Sequence, residues 1–201
     1  EIETIDDVLA KTLSNIYFAE LKKRVQHRND ALLIDKLPLN ILSIPLIKKV
    51  FPRAKFILAL RHPLDCVLSC WMQNFKLNQA MANMVDLDRT VDFYCTVMEM
   101  LELCKQRYQL NIHPIRYEDL VVDFTGNTSE VLAFLELSWE EQLKDYQKTA
   151  IARGKINTPS YSQVIKPIYD SASYRWKKYE QNLLPYKQRL AIWAEAYGYS
   201  L

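Results

Sequence analysis

The stretch from Lys55 to Phe75 constrains the fold of this chain most strongly. It begins with a short apolar run, F-I-L-A-L at 56–60, which is typical of a parallel strand covered on both faces. The run ends at Arg61, and Pro63 then favours the first turn of a helix, where its missing N–H costs nothing. Apolar residues recur at helical spacing through the rest of the stretch. The stretch therefore predicts a strand, a tight turn and a helix, with a cation at the carboxyl end of the strand.

The position of this cation predicts a binding site for an anion. Ligands of open α/β sheets bind at the carboxyl ends of the strands. A helix N-terminus beside a guanidinium also attracts phosphate or sulfate. The alternative is that Arg61 forms a surface ion pair and that Ser69, on the following helix, faces solvent.

The composition excludes several classes of protein. A length of 201 residues is enough for one domain with a sizeable core, and 49% hydrophobic and 25% charged residues are ordinary globular usage. The net charge of +2 does not argue for nucleic-acid binding, so any anion site must be local. A phosphate-cradling loop needs clustered glycines, and the three glycines are scattered. An unrelated α/β nucleotide kinase is disfavoured, because the sequence has no G-x-x-x-x-G-K-[ST] string.

The cysteines and the chain start bear on the compartment. All four cysteines lie in helical patterns without a C-x-x-C pair, which predicts free thiols, a reducing compartment and a cytoplasmic location. Scattered cysteines and three histidines give no metal-site signature. No apolar run is long enough to span a bilayer, and the acidic first residues do not resemble a signal peptide.

Two further segments predict strands. The strands near 31–34, 55–60 and 112–117 together predict a three-layer α/β/α fold with a short parallel sheet. We expect a single domain over 1–201, in which a leading helix over 1–30 precedes a core over 31–201. The first strand is followed by Lys36 and Pro38, which repeats the order of strand, cation, proline and helix.

Four strings of this sequence resemble the sulfotransferase family. They are R-H-P-L-D-C-V-L-S from Arg61, D-K-L-P-L-N from Asp35, R-Y-E-D-L from Arg116, and the long polar segment that begins near Ala152. The last of these is similar to the C-terminal loop of bacterial and protein-tyrosine sulfotransferases. The family transfers a sulfuryl group from 3′-phosphoadenosine 5′-phosphosulfate (PAPS) to a hydroxyl acceptor. The resemblance implies the P-loop NTPase-like sulfotransferase fold.

The resemblance also implies a role for individual residues. Arg61 and Ser69 would bind the 3′-phosphate of the donor, and Lys36 would stabilise the sulfuryl group in transfer. Tyr117 would contact the nucleotide, and Ser160 would lie near the phosphosulfate. Arg175 and Trp176 would approach the 3′-phosphate end of the adenosine. The scheme requires no metal.

Two parts of the family pattern are not found in this sequence. No R-S-G-T-T-like string, which wraps the 5′-phosphosulfate in the family, precedes Lys36. No residue can be chosen as the general base. We therefore expect either an N-terminally incomplete enzyme, completed by a missing segment or a partner chain, or a non-catalytic remnant that binds adenosine 3′,5′-bisphosphate. The acceptor stays open among peptide tyrosine, carbohydrate, lipid and small phenol.

Overall fold

The computed structural model describes residues 2–25, 31–76, 78–152 and 171–201. Within these ranges the α-helices are α1 (Asp7–Arg24), α2 (Ile44–Val50), α3 (Pro63–Met72), α4 (Leu87–Arg107), α5 (Tyr117–Val122), α6 (Phe124–Leu135), α7 (Tyr146–Ala152) and α8 (Glu180–Ala196). The strands are β1 (Lys55–Leu60) and β2 (Asn111–Arg116). Short 3-10 helices span Ile2–Thr4, Pro38–Ser43, Met81–Met84, Glu141–Asp145 and Arg175–Tyr179. None of the helices in these ranges combines the length and the apolar character needed to cross a bilayer.

The strands β1 and β2 form the sheet of the described residues. They are hydrogen-bonded neighbours that run parallel, with α3 and α4 between them along the chain. Two parallel strands need such a crossover connection because a tight hairpin would reverse the second strand. The α/β fold class with a short parallel sheet is therefore confirmed, although most of the described residues are helical.

The predicted strand at 31–34 is wrong. Residues 32–37 have no regular secondary structure, and Leu32 and Ile34 are 50% and 66% exposed. An apolar run forms a strand only where a neighbouring strand completes its hydrogen-bond ladder. The described residues supply no such neighbour, because the sheet consists of β1 and β2.

The chain divides into two compact units. The first comprises Glu1–Phe56 and Val97–Asn111, and the second comprises Ile57–Thr96 and Ile112–Leu201. The expectation of one domain over 1–201 stays a prediction.

In the first unit, α1 packs against α2, and α2 packs against the 3-10 helices Pro38–Ser43 and Ile2–Thr4. The rings of Tyr17, Phe18 and Phe51 meet edge to face, with centroids 5.2–5.8 Å apart. The hydroxyl of Tyr17 donates to Asp35 Oδ2 at 2.8 Å. Burial raises the pKa of Tyr17 to about 12, and Asp35 acts in the same direction. This contact fixes the residue that precedes Lys36.

In the second unit, α3 packs against α8 and against the 3-10 helix Arg175–Tyr179. The core contains Leu64 of α3 and Leu183 and Leu190 of α8, each of which is 0% exposed. Complete burial of a leucine side chain stabilises the fold by about 1.5–3 kcal/mol. The packing of α3 on α8 therefore anchors the helix that follows Arg61.

We expect Leu190→Ala to lower the free energy of unfolding by about 2–5 kcal/mol, because the substitution opens a cavity in a fully buried position. Urea denaturation of the folded chain measures the change. The matched control is Leu184→Ala on the same helix, where the side chain is 58% exposed. The control should change the free energy of unfolding by no more than about 0.5 kcal/mol. Equal losses in the two variants would contradict this description of the core.

Candidate functional site

Two of the predicted site residues lie at the same edge of the sheet. Arg61 follows β1 and Tyr117 follows β2, at the carboxyl ends of the two parallel strands. The guanidinium carbon of Arg61 lies 5.7 Å from the centre of the Tyr117 ring. This distance is within the range of a cation–π contact. The structure thus brings these two residues together.

The guanidinium of Arg61 keeps the capacity to bind an anion. Its Nη2 donates to the carbonyl oxygen of Ala172. Its Nε is buried and has no hydrogen-bond partner among the described residues. Buried polar groups are normally satisfied by protein, water or ligand. An unpaired N–H on a cation at a strand end fits an anionic oxygen.

Ser69 and Arg175 belong to two elements of the second unit that pack together, α3 and the 3-10 helix Arg175–Tyr179. Ser69 lies on α3 and is half-buried. Arg175 is exposed at the start of its 3-10 helix, with Nη2 3.2 Å from Met72 Sδ at the end of α3. Its guanidinium carbon lies 5.9 Å from the Tyr179 ring centre.

Trp176 is a packing residue in this structure. The residue is 2% exposed, and its ring stacks on His62 with centroids 5.1 Å apart. Lys187 Nζ lies 5.1 Å from the ring centre. The backbone N–H of Trp176 donates to Asp65 Oδ1 at 2.7 Å. The ring is therefore covered by the chain itself, and its predicted contact with a nucleotide stays a prediction.

The two residues predicted to act on the sulfuryl group are not among the described residues of the second unit. Lys36 is exposed in the first unit, directly after Asp35, whose carboxylate accepts the hydrogen bond from Tyr17. Ser160 lies outside the described residues. Their roles stay predictions.

The N-terminus of α3 is satisfied by groups of the chain itself. The backbone N–H of His62 donates to Glu118 Oε1 at 3.0 Å. The backbone N–H of Leu64 donates to His62 Nδ1 at 3.2 Å. The sequence predicted that this helix N-terminus assists anion binding. In the structure these two donors are already used by the chain itself and do not assist an anion.

The ring of His62 is fully buried and neutral. Because Nδ1 accepts from Leu64, the proton lies on Nε2, which donates to the carbonyl oxygen of Ser200 at 3.0 Å. Burial lowers the pKa of His62, although the Ser200 carbonyl, Asp65 and Glu118 act in the opposite direction. The histidine that follows Arg61 is therefore a structural cap and not a proton donor at neutral pH.

The cysteines of α3 form a hydrogen-bonded pair. Cys66 and Cys70 lie one turn apart on α3, and both are half-buried. The hydrogen bond from Cys66 lowers the pKa of Cys70, and Arg61 lowers it further against the effect of burial. The same hydrogen bond and burial raise the pKa of Cys66. Cys70 is thus the thiol that ionises more readily.

Comparison with known proteins establishes the family of the chain. The sequence model of the sulfotransferase family matches residues 3–141, which is more than half of the chain. The chain belongs to the sulfotransferase family. The resemblance inferred from the sequence strings is thereby confirmed.

Two relatives and one solved structure show how far the similarity to sulfotransferases extends. An uncharacterized protein of Aquifex aeolicus (strain VF5) is 30% identical over 181 residues, which are 90% of this chain and 23% of the relative. Protein-tyrosine sulfotransferase 1 of Danio rerio is 24% identical over 186 residues, which are 88% of this chain and 50% of the relative. The chain thus spans half or less of the length of these relatives.

The solved structure supports the sulfotransferase fold. The sulfotransferase domain from the curacin biosynthetic pathway superposes with a TM-score of 0.65 at 22% identity. The match covers 94% of this chain and 69% of that domain. At this identity the likeness establishes the fold alone.

Sequence reasoning missed three residues that build this candidate site. Asp65, Glu118 and Tyr199 are 1%, 6% and 6% exposed. Asp65 lies among the apolar residues of α3. An acidic residue on a buried helix face indicates a hydrogen-bond partner inside the protein. The partners of Glu118 and Tyr199 are distant along the chain, and nothing local in the sequence indicates them.

We expect the free energy of unfolding to fall as the pH drops below about 6.5, the ordinary pKa of histidine. The unfolded chain takes up a proton that buried His62 resists, so the unfolded state gains stability in that range. Burial raises the pKa of Asp65, which gives a contribution of opposite sign at lower pH. Urea denaturation from pH 5 to 8 measures the slope. His62→Asn should flatten it, and an unchanged slope would show that His62 is not its source.

We also expect iodoacetamide to alkylate Cys70 before Cys66 and before Cys104, a buried residue whose pKa is raised by burial. The thiolate is the reactive species, so the lower pKa of Cys70 favours it. Mass spectrometry of quenched time points measures each rate. Cys66→Ala should slow alkylation of Cys70, because the substitution removes the hydrogen-bond donor that lowers its pKa. Faster labelling of Cys104 would contradict the prediction.

Proposed function

We propose that this chain is the core of a PAPS-dependent sulfotransferase that transfers a sulfuryl group to a hydroxyl acceptor. Membership of the sulfotransferase family supports the transferase class. The observation that carries the proposal is Arg61, a strand-end cation beside the ring of Tyr117, whose buried Nε has no hydrogen-bond partner within the described ranges.

The proposed chemistry consists mainly of placement and charge neutralisation. PAPS would supply the sulfuryl group. Arg61 and Ser69 would bind its 3′-phosphate, the first as a charge and the second as a hydroxyl donor. The ring of Tyr117 would contact the nucleotide. Group transfer of this kind depends on orientation and on neutralisation of developing oxygen charge.

Four further predicted residues would contribute to the donor site. Lys36 would neutralise charge on the sulfuryl oxygens, and Ser160 would donate a hydrogen bond near them. Arg175 is an exposed cation whose guanidinium lies beside Met72, the last residue of α3, and it would reinforce the 3′-phosphate site. Trp176 would act on the donor site indirectly, because its ring packs on His62, the residue after Arg61.

The acceptor is proposed only as a hydroxyl group. The name of the Danio rerio relative indicates that it acts on protein tyrosine. A tyrosine side chain is accordingly the first acceptor to test here, beside a carbohydrate, a lipid and a small phenol.

Calorimetric titration of the 201-residue chain with adenosine 3′,5′-bisphosphate tests the donor site. We expect binding that Arg61→Ala weakens by about 2–3 kcal/mol, because a charge-assisted contact is lost. This corresponds to about 30- to 150-fold in the dissociation constant. The matched control is Arg53→Ala, which removes an exposed arginine outside the site and should leave the affinity unchanged. Equal affinity in the wild type and in Arg61→Ala would refute the assignment of Arg61.

A second measurement separates an enzyme from a binding remnant. Transfer of radiolabelled sulfate from PAPS to a tyrosine peptide or to a phenol would support the sulfotransferase. Tight binding of adenosine 3′,5′-bisphosphate without transfer to any of the four acceptor classes would favour the non-catalytic remnant.

A further inference from the structure

We propose that Glu118 is a positioning residue that fixes the two strand ends of the donor site to each other and to the C-terminal residues of the chain. The inference rests on the proposed function, because it concerns the placement of Arg61 and Tyr117. It assigns a role to a residue that is not itself expected to touch the donor.

The Glu118 carboxylate lies in a buried environment. The residue is 6% exposed, and each carboxylate oxygen accepts one hydrogen bond. Oε1 accepts from the backbone N–H of His62 at 3.0 Å, and Oε2 accepts from the hydroxyl of Tyr199 at 2.9 Å. Both donors are neutral, so the carboxylate is buried without an ion pair among its described contacts. Such burial is costly unless the hydrogen bonds are well formed.

His62 and Glu118 are each next to a predicted site residue along the chain. His62 directly follows Arg61, and Glu118 directly follows Tyr117. The hydrogen bond between them therefore joins the first residues beyond β1 and β2. Because a backbone N–H is the donor, this bond restrains the main chain next to Arg61, not only a side chain. It thereby restrains the 5.7 Å contact between the Arg61 guanidinium and the Tyr117 ring.

The C-terminal residues of the chain lie beside the same two strand ends. Gly198 has a φ of +73°, in the left-handed region that favours glycine, and it turns the chain after α8. Tyr199 then lies with its ring centre 4.0 Å from the guanidinium carbon of Arg116, the residue before Tyr117. Ser200 accepts the hydrogen bond from His62 Nε2. Tyr199 thus contacts Arg116, the residue before Tyr117. Ser200 contacts His62, the residue after Arg61.

These contacts distinguish Glu118 from an ordinary core residue. An apolar side chain would fill the same space without the cost of a buried charge. It would leave the His62 N–H and the Tyr199 hydroxyl without an acceptor. The carboxylate also lies at the N-terminus of α3, where the helix dipole favours a negative charge. Its geometry therefore serves the alignment of the two strand ends.

The test compares Glu118→Ala, Glu118→Gln and the wild type in the full 201-residue chain. Calorimetric titration with adenosine 3′,5′-bisphosphate is performed well below each melting temperature. We expect Glu118→Ala to weaken binding about tenfold or more, because the strand ends lose their common acceptor. Glu118→Gln should recover most of the affinity, since its amide oxygen can still accept from His62 and the Tyr199 hydroxyl can still form a hydrogen bond.

The control for lost stability is Leu190→Ala, which removes a fully buried side chain from α8. If Glu118 acts by positioning, this variant keeps the wild-type affinity although it is destabilised. A folded Glu118→Ala protein with wild-type affinity would overturn the proposal. Equal losses of affinity in Glu118→Ala and Leu190→Ala would overturn it as well, since the effect would then follow stability alone.

A readout without nucleotide separates this proposal from the proposed function. Hydrogen exchange at the His62 amide should accelerate in Glu118→Ala relative to Leu190→Ala, because its acceptor is gone. If the wild type fails to bind adenosine 3′,5′-bisphosphate but shows this acceleration, the donor assignment fails and the link between the strand ends stands. If the exchange rate is the same in both variants, the positioning role is refuted whatever binds.

Discussion

The parallel pairing of β1 with β2 is the constraint on which the candidate site depends. In an antiparallel pair the carboxyl ends would lie at opposite edges of the sheet, and the residues that follow the strands could not meet. Parallel pairing places Arg61 and Tyr117 at one edge, where the guanidinium carbon lies 5.7 Å from the ring centre. The same pairing requires a long connection between the strands, and α3, which carries Ser69, is part of it.

The site is built on buried polar groups, which are costly unless each finds a partner. The described structure provides partners for three of these residues across the chain: His62 with Ser200, Asp65 with Trp176, and Glu118 with Tyr199. Each pair joins the start of α3 or α5 to the last part of the chain. Residues 171–201 therefore complete the strand ends as well as covering α3.

The sequence predicted the parts of this structure whose information is local. The apolar run to Leu60 and the proline at 63 lie within one stretch, and β1 and α3 form there. The strand at 31–34 failed because its formation depends on a neighbour and not on its own pattern. The burial of Trp176 against His62 depends on residues more than a hundred positions apart, and no spacing rule in one sequence indicates such a contact.

Since the carbonyl oxygen of Ala172 already accepts from Arg61 Nη2, one interpretation is that it competes with an anion at Arg61. The opposite conclusion follows from the remaining donors. A guanidinium carries five N–H groups, so one neutral acceptor leaves most of them available. That acceptor fixes the rotamer of a long side chain, and an anion that binds later does not have to order it. The Ala172 carbonyl thus restrains the Arg61 side chain without neutralising its charge, and Nε is buried without a hydrogen-bond partner among the described residues.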